Sequence, residues 1–181
     1  MSLGDTRGDR AALRATAHPV RLRIMSLLTG ASLAAAEVAR ELGLTHANAS
    51  YHLRTLLAAG MIVPAGEERI RGGIAKRYRY DAAHDIAQEK IRGRRPDEYY
   101  RALFGAAAAE LIRRSRASSF STDGKVVVDA ELWLGPDAWQ AFVERIGAAA
   151  RDLHEAAQPP RTPGTVRTST SIAMVRMENE S

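Results

Sequence analysis

No cysteine occurs among the 181 residues, which excludes disulfide scaffolds, thiolate metal sites and cysteine nucleophiles. That absence fits a reducing compartment. No apolar run approaches the roughly 18 residues that a spanning helix requires. The opening MSLGDTRGDR has no apolar stretch of the kind that makes a secretion signal. A soluble cytoplasmic protein with no membrane partner is the expectation. What is present suffices for a folded chain: 45% hydrophobic and 26% charged residues are ordinary for globular proteins. The length predicts one domain with a substantial appendage, or two small domains.

Charge is unevenly placed. The net charge is +5, yet the first 80 residues hold 12 basic against 6 acidic side chains, and the remainder 14 against 15. The densest basic stretch carries Arg69, Arg71, Lys76, Arg77 and Arg79. A local cationic patch suits a polyanion such as nucleic acid, because phosphate neutralisation releases counterions. A solvated arginine-rich surface is the plainer alternative.

Periodicity predicts helices over 9–17, 19–29, 34–42 and from 46 to about 59. Pro19 suits a first helical position, Thr45 an N-cap, and Gly30, Gly43 and Gly60 the stops. Two short helices joined by Gly43-Leu44-Thr45 match a helix-turn-helix, whose second helix is free to enter a major groove. After Gly60 the period changes. Residues 61–68 and 75–80 lean toward strand on either side of Arg71-Gly72-Gly73, which is hairpin chemistry. Helix-turn-helix followed by a basic hairpin is a winged helix. Further on, helices are predicted over 84–93, 97–116 and from 136 to about 153, strands over 126–134 and 169–177, and a linker over 158–164.

Two blocks carry a family resemblance. Leu13-Arg14-Ala15-Thr16-Ala17-His18-Pro19-Val20-Arg21-Leu22-Arg23-Ile24 resembles the ALADPTRLRIL opening of ArsR-type winged-helix transcriptional regulators. Glu41-Leu42-Gly43-Leu44-Thr45-His46-Ala47-Asn48-Ala49-Ser50-Tyr51-His52-Leu53-Arg54-Thr55-Leu56 resembles that family's ELGLSQSTVSHHLRVL recognition segment. The resemblance covers residues 10–82. It implies a homodimeric repressor that binds palindromic operator DNA and releases it on sensing a signal. Its metal-sensing branch does not carry over. Where a Cys-x-Cys would stand the chain has Ala34-Ala35-Ala36-Glu37-Val38, and an Asp-x-His pair is approached only by Asp81 and His84. No metal and no cofactor are therefore expected.

The residues assigned to double-stranded DNA are Thr45, His46, Asn48, Ser50, Tyr51, His52 and Arg54 on the recognition helix, with Arg71, Lys76 and Arg77 on the wing. Hydroxyl, amide and imidazole groups reach base edges or phosphates, and cations hold the backbone. Capping by Thr45 and a half-buried His52 ring are the structural alternatives. Tyr100, Leu103, Phe104, Ala107 and Leu111 form a stripe at helical spacing, assigned to a homodimer interface. Asp129 and Glu131 share a strand face but lack a convergent histidine or nucleophile, so no enzyme is expected. Trp133, Trp139, Phe142, Met174 and Met177 read as the core of a C-terminal unit, or as the lining of a pocket for an unidentified small-molecule effector.

The expected architecture is α+β, mainly α. A winged helix-turn-helix over 1–82 is followed, over 83–181, by a helical dimerisation segment and a small strand–helix–strand unit. The function that fits is a sequence-specific DNA-binding regulator. The alternative is a winged-helix module for protein–protein contacts or non-specific nucleic-acid binding.

Overall fold

Pro19, with its ring-fixed φ, opens the first helix, α1 (Pro19–Thr29). The His18 Nδ1 accepts the Val20 N–H at 3.2 Å and caps it. In this computed structural model, which describes residues 18–81, 96–118 and 125–177, α1 leads to a two-residue strand, β1 (Leu33–Ala34), and then to α2 (Ala35–Leu42). Gly43 ends α2 at φ 66, in the left-handed region that side chains with a Cβ rarely adopt. The Leu44 N–H returns to the Ala39 carbonyl at 2.9 Å. That turn delivers Thr45 as the cap of α3 (His46–Ala58).

A hairpin follows, of β2 (Val63–Ile70) and β3 (Gly73–Arg79), joined through Arg71 and Gly72. The three strands form one antiparallel sheet in the order β1-β3-β2. Leu33 pairs with Tyr78, and Glu67 with Lys76. One extra residue of β2 bulges between Pro64 and Glu67. The mixed α+β class and the winged helix are as the sequence leads one to expect. β1 was not foreseen, since two residues carry no readable alternation. Met61 and Ile62, expected in the first wing strand, instead enter the core before the strand begins.

One apolar cluster holds this unit together. Ile24 and Leu28 of α1, Val38 of α2, and Leu53 and Leu56 of α3 are at most 1% exposed and pack with Ile62 and Tyr78. Burying side chains of this size contributes about 1.5–3 kcal/mol each. The sheet is tied to α1 where the Tyr80 N–H reaches the Leu28 carbonyl at 3.0 Å.

Arg77 joins the wing to the helices. Its guanidinium pairs with Glu68 across the hairpin and with Glu37 of α2 at 3.1 Å, and donates to the Ser32 carbonyl at 2.6 Å. Glu37 also accepts the Ala34 N–H at 2.8 Å, which satisfies a donor at the start of α2. Arg77 was expected to face phosphate. The structure turns it inward instead, because two carboxylates and a carbonyl converge on one planar cation.

Two longer helices follow, α4 (Asp97–Ser115) and α5 (Pro136–Glu155). α4 packs on α1, and its buried residues are Tyr99, Ala106 and Glu110. Glu110 is 5% exposed and pairs with Arg113 at 2.5 Å and Arg114 at 3.0 Å. The Arg113 hydrogen bond, opposed by burial and helped by Arg114, holds its carboxyl below the ordinary range. Arg114 reaches on to the Ser26 hydroxyl of α1 at 3.2 Å.

The strand–helix–strand unit is corrected at both ends. α5 forms, but residues 125–135 and 163–177 carry no strand. Val126, Val127 and Val128 are 84–88% exposed. Local β propensity does not make a strand without a partner to take the backbone hydrogen bonds. Asp129, Glu131, Trp133, Phe142, Met174 and Met177 are likewise exposed and Trp139 is half-buried, so the expected apolar set does not close into a core within one chain. The helices expected over 9–17 and 84–93, His84, and the boundary at 82/83 lie outside the described residues.

Arg77→Met removes the cation that Glu37, Glu68 and Ser32 share. Equilibrium urea unfolding should show a loss of about 1–3 kcal/mol, while Lys76→Met, on the exposed neighbouring residue, should stay within about 0.5 kcal/mol. Equal effects of the two would contradict the clamp.

Candidate nucleic-acid interface

α3 has one apolar face, and burial of Ala49, Leu53 and Leu56 decides what the other faces present. At about 100° per residue, Ala47, Tyr51, Arg54 and Ala58 point away from the core. Asn48 and Ser50 flank that arc. Asn48, Tyr51 and Arg54 are exposed and Ser50 is half-buried, as this geometry requires, whereas His46, about 60° from Ala49, is exposed at the first residue of the helix. Thr45 sits at the helix start, where its Oγ1 accepts the Asn48 N–H at 3.2 Å. It thus caps the helix while remaining exposed. The Arg54 Nε donates back to the Ser50 carbonyl at 3.3 Å, and the Thr55 hydroxyl to the Tyr51 carbonyl at 2.9 Å.

His52 belongs to the interior. By the same arithmetic it falls about 60° from Ala49, inside the buried arc, and it is 9% exposed. Its Nδ1 accepts the Arg21 Nε–H at 3.4 Å. Its ring lies 4.9 Å from that of His18 and 5.4 Å from that of Tyr51. The expectation that it shares the exposed face with Asn48 is corrected. Burial above all, then the neighbouring His18 and Arg21, holds its pKa below the ordinary 6.5. Arg21, unremarkable in the sequence, supports the recognition helix from behind. Only a three-dimensional pairing 31 residues apart reveals that role.

On the wing, Arg69, Arg71 and Lys76 are exposed, and no described acidic side chain forms an ion pair with them. Arg77 does not join them. The wing is not uniformly basic, since Glu67 stands opposite Lys76 in the register. The hairpin root follows α3 directly, with the Met61 N–H on the Leu56 carbonyl at 2.9 Å. The recognition helix and the root of the wing therefore share one core, through Met61, Ile62 and Tyr78.

The stripe on α4 divides. Tyr100 and Leu103 are half-buried, whereas Phe104, Ala107 and Leu111 are exposed. The buried residues of this helix are instead Tyr99, Ala106 and Glu110. Among the described residues, no three histidine or acidic side chains are grouped to hold a metal. No described helix is long and apolar enough to cross a membrane.

A family model described as a helix-turn-helix domain matches residues 16–64, which take in α1 to α3 and reach the start of the wing. No curated protein matches the chain. The helix-turn-helix match, with the three-stranded sheet behind it, supports a DNA-binding regulator of the winged helix-turn-helix kind in general.

The His52 environment makes a pH prediction. The neutral ring is the folded form, since Nδ1 accepts from Arg21. In the unfolded chain the ring titrates near its ordinary 6.5, and in the folded chain lower, so the unfolded state binds more protons between the two values. Stability is therefore full above about pH 6.5 and falls as pH drops through the lowered native value. Urea midpoints at about pH 7.5 and pH 5 should fall further for the parent chain than for His52→Gln. Equal falls would contradict a buried neutral imidazole.

Proposed function

We propose that the chain is a sequence-specific transcriptional regulator of the ArsR type, a repressor that binds a palindromic operator as a homodimer. The observation that carries the reading is the division of α3. Its apolar face is locked into the core, and its outward face offers Asn48, Tyr51 and Arg54 without a covering element, with His46 exposed at the first residue of the helix. A polar, exposed second helix of a helix-turn-helix is shaped to place side chains against base edges. Arg69, Arg71 and Lys76 supply mobile positive charge for phosphate or minor-groove contact. Asn48 is assigned to base reading, Thr45 and Ser50 to backbone contact beside it, and Arg71 and Lys76 to phosphate. His52 and Arg77 are positioning residues, one behind the recognition helix and the other at the wing root. A helix-turn-helix DNA-binding family is typically non-enzymatic, and no catalytic role is assigned.

A single helix and wing read too little sequence for a unique site. Two-fold pairing would double the contact and explain a palindrome. The open part of the α4 stripe, with Phe104 40% and Leu111 53% exposed, is assigned to that pairing, because an apolar helical face is stable only when covered.

Two experiments test the reading. Asn48→Ala should lose about 1–3 kcal/mol on a selected operator and relax specificity at one position. Arg71→Ala should weaken selected and random DNA alike and flatten the log–log salt slope by about 0.9. Equal loss for Asn48→Ala on selected and random DNA would favour a non-specific or protein-binding module instead. Separately, Phe104→Glu with Leu111→Glu, both on the open part of the stripe, should give a folded monomer by sedimentation that binds the operator weakly. A double variant that remains dimeric would move the interface off α4.

A further inference from the structure

Of the large apolar side chains in residues 18–81, Ile74 is the most exposed, at 66%. It stands second in β3, next to the Arg71-Gly72 turn at the tip of the wing. Its surroundings follow from the register. Residues directly opposite in an antiparallel pair share a face, and so do residues two apart on one strand. Arg69 lies opposite Ile74, and Glu67 opposite Lys76, so these four are on one face. Tyr78 carries that face into the core, four residues or about 13 Å toward the root. Ile74 lies past the edge of that core. The other face differs. Ile70, 50% exposed, lies opposite Gly73 and shares its face with Glu68. The cation on that side, Arg77, is already held by Glu68 and Glu37.

Charge selects the occupant. Ile74 has Arg69 across the hairpin, Lys76 two residues toward the root and Arg71 in the turn beyond it, all three exposed. Glu67 is the acid on this face, on its root side. An apolar protein surface laid over Ile74 would bury these cations without partners, which is costly. A duplex minor groove offers the reverse arrangement. It is about 6 Å wide with phosphate along both rims, and proteins that enter it set apolar side chains between base steps while cations hold its edges. With α3 in a major groove, the adjacent minor groove lies half a helical turn away, roughly 17 Å along the duplex. That is the scale of the wing's reach past Tyr78.

We propose that Ile74 is an apolar wedge that enters the minor groove of the bound duplex and opens a base step there, with Arg69, Arg71 and Lys76 on the flanking phosphates. The proposal rests on the DNA-binding reading above and adds to it a second source of specificity. The wing then favours steps that unstack readily, pyrimidine–purine steps such as TA and CA, and bends the duplex where Ile74 enters.

The test uses duplexes enriched from a random pool by the full-length protein, with donor and acceptor dyes at their two ends. Affinity, bend by energy transfer and salt dependence are read on the same samples. Ile74→Thr keeps a β-branched side chain and every cation. It should bind the enriched duplex about tenfold more weakly, leave it straighter and keep the parent's salt slope. Ile74→Val should bind and bend as the parent does. Ile70→Thr, an equivalent change on the face of Glu68, should leave affinity and bend unchanged. Both isoleucines are exposed, so all three variants should keep the parent's urea midpoint. An Ile74→Thr chain that binds and bends like the parent would overturn the wedge, as would equal losses from Ile70→Thr. A parent chain that prefers the enriched duplex without bending it sinks only the wedge, whereas one that binds enriched and random duplexes alike sinks the sequence-specific reading as well.

Discussion

Everything on the recognition surface depends on burying one face of a thirteen-residue helix. α3 packs Ala49, Leu53 and Leu56 against Ile24, Leu28 and Val38, and once those are inside, helical geometry leaves no freedom in what points outward. The helix cannot rotate to expose His52 without withdrawing Leu53 or Leu56, and creating a cavity of that size costs about 2–5 kcal/mol. The outward set of Asn48, Tyr51 and Arg54 is therefore a consequence of the core. The turn at Gly43 and the Thr45 cap only start the helix at the right residue.

Two polar contacts extend this constraint to either side. Behind α3, the neutral His52 ring accepts from Arg21 of α1, so the recognition helix is held by a directional bond as well as by packing. Beside it, Arg77 draws Glu37, Glu68 and Ser32 together, which fixes where the wing leaves the sheet. In the sequence Arg77 reads as surface charge and Arg21 carries no signal of its own. Both are spent on positioning, which leaves Arg54 of the recognition helix and Arg69, Arg71 and Lys76 of the wing exposed. Charge density alone overstates the interface, because an arginine near acids is consumed by them.

The winged helix was legible in the sequence because its signals are local. Pro19, Gly43, Thr45 and Arg71-Gly72 are caps and turns whose chemistry acts within a few residues. The inner face of α3 was equally legible from its spacing. His52 was not, since it lies at the edge of the buried arc, where a shift of one residue in the centre of the stripe decides its side. Arg77 was misread because its partners lie 9 and 40 residues away. The segments 125–134 and 169–177 show the converse case. Runs such as Val126-Val127-Val128 favour strand locally, yet a strand is a pairwise object, and without a partner these residues stay exposed and outside any strand.

The central claim is that two recognition helices, carried on rigid cores, read one sequence twice. Selection of bound duplexes from a random pool by the full-length protein tests it most directly. The account predicts an enriched inverted repeat with half-sites about one helical turn apart, roughly 10–10.5 base pairs centre to centre. Recovery of an asymmetric single site, or of no enriched sequence at all, would contradict it.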